Sequence, residues 1–76
     1  MNFKEAINEG SKILKFNNIK SFILDSEILL SSSLKLDRSK LILNLEKKIK
    51  DKEKNIFFNY IERRKNNEPI AYITGF

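Results

Sequence analysis

Apolar and polar positions in the first sixteen residues recur with a helical period. Phe3, Ala6, Ile7, Gly10, Ile13 and Leu14 fall on one face, and Lys4, Glu5, Asn8, Glu9, Lys12 and Lys15 fall mostly on the other. Asn2, with Glu5 three residues on, has the form of a capping box. The pattern predicts a helix over 3–16. Asn17-Asn18 ends it, because asparagine accepts the left-handed conformation. Gly10 lies on the apolar face, where it costs about 1 kcal/mol relative to alanine, so a second helix is expected to cross closely there.

A second helix is predicted over 22–35, with Ser21 as its cap. Phe22, Ile23, Leu24, Ile28, Leu29, Leu30 and Leu34 make it apolar over a wide arc, as befits the centre of a bundle. Asp25 and Glu27 interrupt that arc. Ser31-Ser32-Ser33 reads as the small-residue side of this helix, not as a linker. Asp37 or Ser39 caps a short third helix carrying Leu41, Ile42, Leu43 and Leu45. Lys47 to Lys54 reads as a charged, solvated connector with Ile49 as a buried anchor. A fourth helix follows over 52–66, capped by Asp51. Ile56, Phe57, Tyr60 and Ile61 form its apolar stripe, Arg64 continues the stripe, and Phe58 lies off it.

The last stretch is the least generic. Asn66-Asn67 breaks the fourth helix, and Pro69 to Thr74 reads as one helical turn closed by Gly75. Proline suits a first helical position because no intrahelical N–H partner is lost there. Glycine suits the position after a helix, where φ is positive. So short a turn cannot persist alone in water, so Ile70 and Ile73 are expected to pack back onto the bundle. No β-type alternation lasts more than four residues and no repeat is present. The predicted fold is all-α: a small helical bundle of four main helices plus a short C-terminal helical turn. It forms one domain over 1–76, with a core carried by the first, second and fourth helices.

Composition mainly excludes. A chain of 76 residues buries only roughly 60% of its unfolded surface, so its stability is modest. It has no cysteine and no histidine, hence no disulfide, no thiolate metal site and no imidazole base. Its ten carboxylates form no calcium-loop pattern. The two glycines are isolated, so no phosphate or dinucleotide cradle is present. No apolar run approaches the roughly 18–20 residues of a membrane span, and the polar start is unlike a signal peptide; a cytoplasmic protein is expected.

The net charge of +5 is uneven. Residues 1–34 are neutral, 35–54 carry eight basic and four acidic groups, and 55–76 are net +1. A basic stripe can attract nucleic acid. The central stripe has no aromatic residue for base stacking, and a solvated lysine face is the preferred reading.

Arg63-Arg64, followed by Glu68-Pro69-Ile70-Ala71-Tyr72-Ile73-Thr74-Gly75, resembles the junction signature of bacterial protein-glutamine methyltransferases of the HemK/PrmC family. Asp25-Ser26-Glu27-Ile28-Leu29-Leu30 resembles a second family segment, Asp-Ala-Glu followed by aliphatics, with Ser26 in place of the usual alanine. The resemblance covers the whole chain as the family's small N-terminal helical domain. These enzymes use S-adenosylmethionine to methylate the glutamine of the Gly-Gly-Gln motif in class I peptide chain release factors.

The family's methyltransferase domain, with its glycine-rich cofactor loop and Asn-Pro-Pro-Tyr motif, has no counterpart in these 76 residues. The resemblance therefore implies a release-factor-recognition domain that is not itself catalytic. No catalytic, cofactor-binding or metal-binding residue is placed on it, and S-adenosylmethionine is implied only for the full-length parent. Its expected partners are a class I release factor and the missing methyltransferase domain, with no membrane and no specific nucleic acid.

Among the site residues, Asp25, Glu27, Arg64, Glu68, Pro69 and Gly75 are expected to be structural. Arg64 continues the apolar stripe and should pair with a carboxylate of the second helix, Asp25 first. Arg63 lies about 100° round the helix and should face solvent as a contact for an acidic partner surface. Tyr72 is read as half-buried with its hydroxyl outward, and as the second candidate partner contact. Two other functions compete: a basic helical module binding nucleic acid, and a generic helical interaction domain.

Overall fold

The computed structural model describes residues 1–75. Five helices lie among them: α1 (Phe3–Phe16), α2 (Phe22–Leu34), α3 (Arg38–Ile42), α4 (Asp51–Lys65) and α5 (Ile70–Thr74). Helices α1, α2 and α4 pack pairwise on one another, while α3 rests on α2, and α5 on α2 and α4. The all-α bundle is as expected. Its core centres on Leu14, Leu29, Leu30, Phe57 and Ile61, with Ala6 and Leu41 also fully enclosed.

The start of α1 satisfies all its orphan amides. Glu5 N donates to Asn2 Oδ1 at 2.8 Å, and Asn2 N donates to Glu5 Oε1 at 2.9 Å, completing the capping box. Ala6 N donates to Asn2 O at 3.0 Å. The remaining two amides, of Phe3 and Lys4, donate to the carbonyls of Lys47 and Leu45, each at 2.9 Å. Ile49 N reaches back to Met1 O at 3.0 Å, and Asn2 and Lys48 form an antiparallel bridge. The connector before α4 is ordered backbone with exposed lysines, as a charged, solvated connector should be. It is shorter than expected because residues 51–54 already belong to α4. Ile49 is its buried anchor.

Gly10 marks the crossing of three helices. A Cβ there would stand 2.8 Å from Phe57 Cζ and 2.9 Å from Ile61 Cδ1 of α4, and 3.2 Å from Ser26 Oγ of α2. The propensity lost in α1 is thus exchanged for close approach. Ser26 is wholly buried at this crossing and its hydroxyl has no hydrogen-bond partner. A buried hydroxyl left unpaired costs about 1–3 kcal/mol by mutational measures, and alanine is also the better helix former. Ser26→Ala is therefore expected to raise unfolding stability by about 1 kcal/mol or more, read from urea denaturation; a loss of stability would contradict it.

Several local expectations are corrected. On α2, Ile23 and Leu24 are 54% and 44% exposed, whereas Asp25 and Ser26 are buried. The apolar arc is wider than its neighbours can cover, and the side facing α4 is the one that holds Asp25. Ser21 occupies the N-cap position of α2 without a side-chain cap bond; its hydroxyl goes to Asp25 instead. Asp37 precedes α3 and likewise makes no cap bond. Lys50, not Asp51, stands at the N-cap of α4; Asp51 lies in the first turn, where the helix dipole favours a carboxylate.

Helix α2 ends at Leu34, with Lys35 left-handed at φ 57°. Ser31 and Ser33 are buried, their hydroxyls donating to the carbonyls of Glu27 and Leu30, which fits the small-residue side of α2. Asn18 and Asn67 take the other positive φ values among non-glycine residues, 65° and 67°, and so turn the chain after α1 and α4.

Candidate functional site: the clamped closing turn

Helix α4 ends in three basic residues, Arg63, Arg64 and Lys65, which suit the negative end of its dipole. The reversal at Asn66-Asn67 is closed by backbone bonds, from Asn67 N to Arg64 O at 2.9 Å and from Glu68 N to Arg63 O at 3.2 Å. Pro69 then stands at φ −61° and ψ 143°, just before α5 and not inside it. The extended ψ aims its carbonyl along the new helix, where it accepts from Tyr72 N at 3.0 Å and Ile73 N at 3.2 Å. Gly75, at φ 80°, ends α5 in the left-handed region and donates its N–H to Ala71 O at 2.9 Å. Thr74 Oγ1 donates to Ile70 O at 3.0 Å. Ile73 is buried and Ile70 packs against the core, so the turn docks on the bundle.

Two arginines clamp it. Arg64 Nε donates to Asp25 Oδ2 at 2.9 Å, and the same oxygen accepts from Ser21 Oγ at 2.9 Å. Arg64 Nη1 also donates to the carbonyl of Glu68 at 3.2 Å. One guanidinium thus ties α2, α4 and the lead-in to α5. The Asp25 side chain is 7% exposed and that of Arg64 20%, so this pair is shielded from water. Arg63 Nη2 pairs with the Glu68 carboxylate and donates to Tyr72 O at 3.3 Å. The hydrogen bond to Glu68, more than its charge, holds the Arg63 guanidinium above its ordinary pKa.

The structure brings Asp25, Arg64, Glu68, Pro69 and Gly75 together at this turn. Glu27 stands apart. Two residues along a helix means about 200° of rotation, and Glu27 faces Arg38, 3.4 Å away. Arg63 does not stand clear in solvent as expected, because the reversal brings Glu68 back onto it. Tyr72 is 76% exposed, not half-buried: Ile70 and Ile73 take the docked face of a five-residue helix and leave Tyr72 outside. The clamp also takes in Ser21 and Glu68. Ser21 stands four residues before Asp25 on α2, a spacing that could have indicated the pairing.

Among the described residues no group of three His, Cys, Asp or Glu side chains converges as a metal site. A groove of about 580 Å3 runs between α2 and α5 over Ile28, Leu36, Ile70 and Ala71. The charged group that lines it, Arg38, is already paired with Glu27. Among the described residues no helix is long and apolar enough to cross a membrane.

A helical bundle closed by an ion-paired turn, with Asp25 of α2 held by Arg64 of α4 and Glu68 held by Arg63, defines a small helical domain. Residues 5–75 match the family described as the PrmC N-terminal domain, and the chain belongs to that family. It is 40% identical over 75 residues to a release factor glutamine methyltransferase of Clostridium botulinum, covering 99% of this chain and 26% of that protein. It is 42% identical over 74 residues to the protein of the same name from Clostridium acetobutylicum, covering 97% and 26%. A third, from Leptospira interrogans, is 41% identical over 69 residues, covering 91% and 24%. The chain thus spans about a quarter of the length of the curated relatives it matches. No solved structure gives a significant match.

Proposed function

We propose that this chain is the release-factor-recognition domain of an S-adenosylmethionine-dependent protein-(glutamine-N5) methyltransferase. Its substrate is the Gly-Gly-Gln glutamine of class I peptide chain release factors, and it works in the cytoplasm. The observation that carries the reading is similarity along nearly the whole chain to relatives named release factor glutamine methyltransferase. The lack of cysteine and histidine agrees with a binding role, and S-adenosylmethionine belongs to a catalytic domain outside these residues.

A folded protein substrate needs a contact away from the reacting side chain. Binding energy gained at such a contact can be used to position the glutamine amide for transfer. A helical domain held beside the catalytic site raises the effective concentration of the correct partner. The docked turn α5 supports this, because a fixed exit from the bundle gives whatever follows it a fixed direction.

The test has two arms. Titration calorimetry with a class I release factor should give saturable binding to the 76-residue chain. With labelled S-adenosylmethionine and the same release factor, methyl transfer should not exceed a no-protein control. Failure to bind, or transfer above the control, would contradict the proposal. Nucleic acid should bind only weakly and without sequence preference, with affinity lost by about 200 mM salt as for a phosphate-only contact.

A further inference from the structure

The eight basic groups of residues 35–54 are spread along the sequence, but the fold gathers half of them. Lys40, Lys47, Lys48 and Lys50 border one groove of about 380 Å3, with Phe3, Leu34 and Leu36 beneath. All four lysines are exposed. The ion pairs among the described residues join Arg38 to Glu27, Arg63 to Glu68, Arg64 to Asp25 and Lys65 to Glu62. None of the four groove lysines takes part. Glu53 is the one carboxylate in the lining, so the groove carries a net charge of +3 (four lysines less one glutamate).

The platform under these charges is fixed. The carbonyl of Lys47 accepts from Phe3 N, Ile49 N donates to Met1 O, and Lys48 bridges Asn2. Ile49 is buried. In an extended stretch alternate side chains point to opposite sides, so the burial of Ile49 turns Lys48 and Lys50 outward. The bonds that satisfy the start of α1 and the burial of Ile49 also hold these lysines in fixed relation over an apolar floor. Like charges held together in this way repel one another and attract a complementary surface.

We propose that this groove is a docking surface for an acidic segment of a protein partner. Its carboxylates would meet Lys40, Lys47, Lys48 and Lys50, and an apolar side chain between them would cover Leu34 and Leu36. The partner's identity as the release factor rests on the reading given above; the location rests on the groove. Nucleic acid fits less well. Phe3, the one aromatic residue in the lining, is 5% exposed, so no ring is presented for a base to stack on.

Rim charges act mainly on the association rate and its salt dependence. The test is therefore stopped-flow association of a class I release factor with the 76-residue chain at several salt concentrations. Three variants are compared with the parent: Lys47→Glu/Lys48→Glu/Lys50→Glu, the same triple to glutamine, and Lys12→Glu/Lys20→Glu as a control off the groove. None of the three mutated groove lysines donates a side-chain hydrogen bond in the structure, and thermal melts verify that each variant folds. The glutamate triple should slow association by about tenfold or more, the glutamine triple should lie between it and the parent, and the control should stay within about twofold of the parent.

Amide shifts of the labelled parent should move at Leu36, Lys40 and residues 47–50. Unchanged association of both groove triples overturns the groove while leaving the release-factor reading intact. No association with the parent overturns the release-factor reading, and the partner proposed here with it. A duplex RNA probe that binds the parent more tightly than the release factor does, and is lost in the same triple, overturns the protein partner in favour of phosphate.

Discussion

Leu29→Ala is expected to cost about 2–5 kcal/mol of stability, the range for truncating an enclosed leucine. Leu29 is fully buried and lies on α2, the helix that packs against α1, α3, α4 and α5 alike. Walls on so many sides cannot all collapse into the void, which places the cost in the upper part of that range. A chain of 76 residues has roughly 4–11 kcal/mol in total at typical per-residue stability. The loss is therefore a large fraction of what holds the domain folded. At about 4–8 °C per kcal/mol for a domain of this size, the melting temperature should fall by about 8 °C or more. Leu43→Ala is the control, since Leu43 is 82% exposed and surface truncations usually stay within about 0.5 kcal/mol. If Leu29→Ala melts within about 3 °C of the parent, the centre of the bundle lies elsewhere.

What could be read in the sequence was what is determined locally. The bounds of α1 are as expected because its signals lie within four residues of each end: the Asn2–Glu5 box at the start and Asn17-Asn18 at the finish. Arg64 was expected on an internal carboxylate because it continues the stripe of Phe57 and Ile61, and it reaches Asp25. Ile49 stands out as the apolar residue among the charges of the connector, and it is buried. Ile70 and Ile73 had nowhere to go but the bundle.

What could not be read depends on which neighbour covers which arc. A helix as apolar as α2 does not announce that Ile23 and Leu24 face water while Ser26 faces α1 and α4; only the packing of those helices decides it. Tyr72 and Arg63 depart from expectation for the same reason. The faces of a five-residue helix are set by its docking, and the return of Glu68 onto Arg63 depends on the reversal at Asn67. The lysine groove is the extreme case. It exists because the amides at the start of α1 draw the backbone of residues 45–49 alongside them, a pairing between segments more than forty residues apart that no periodicity contains.

Arg64→Ala is expected to release the closing turn as well as weaken the bundle. The substitution leaves the buried Asp25 carboxylate with the Ser21 hydroxyl as its remaining side-chain partner. Removing one member of a buried ion pair typically costs about 3–5 kcal/mol, because the other charge stays desolvated. It also removes the bond to the Glu68 carbonyl, so α5 loses the tie at its lead-in. A helix of five residues has too few internal bonds to persist unaided. Protection of its amides must therefore come from docking. In the parent, Tyr72 and Ile73, whose N–H groups are bonded to Pro69 O, should exchange slowly. In Arg64→Ala both should approach free-peptide rates while the amides of α1 remain protected. Arg64→Lys should fall between the two, since lysine keeps the charge but not the planar fork that reaches Asp25 and Glu68 at once. Arg63→Ala removes a half-exposed, solvent-screened pair and should leave Ile73 protected. Slow exchange at Tyr72 and Ile73 in Arg64→Ala would show that Ile70 and Ile73 hold the turn without the clamp; fast exchange in the parent would show that the turn does not dock at all.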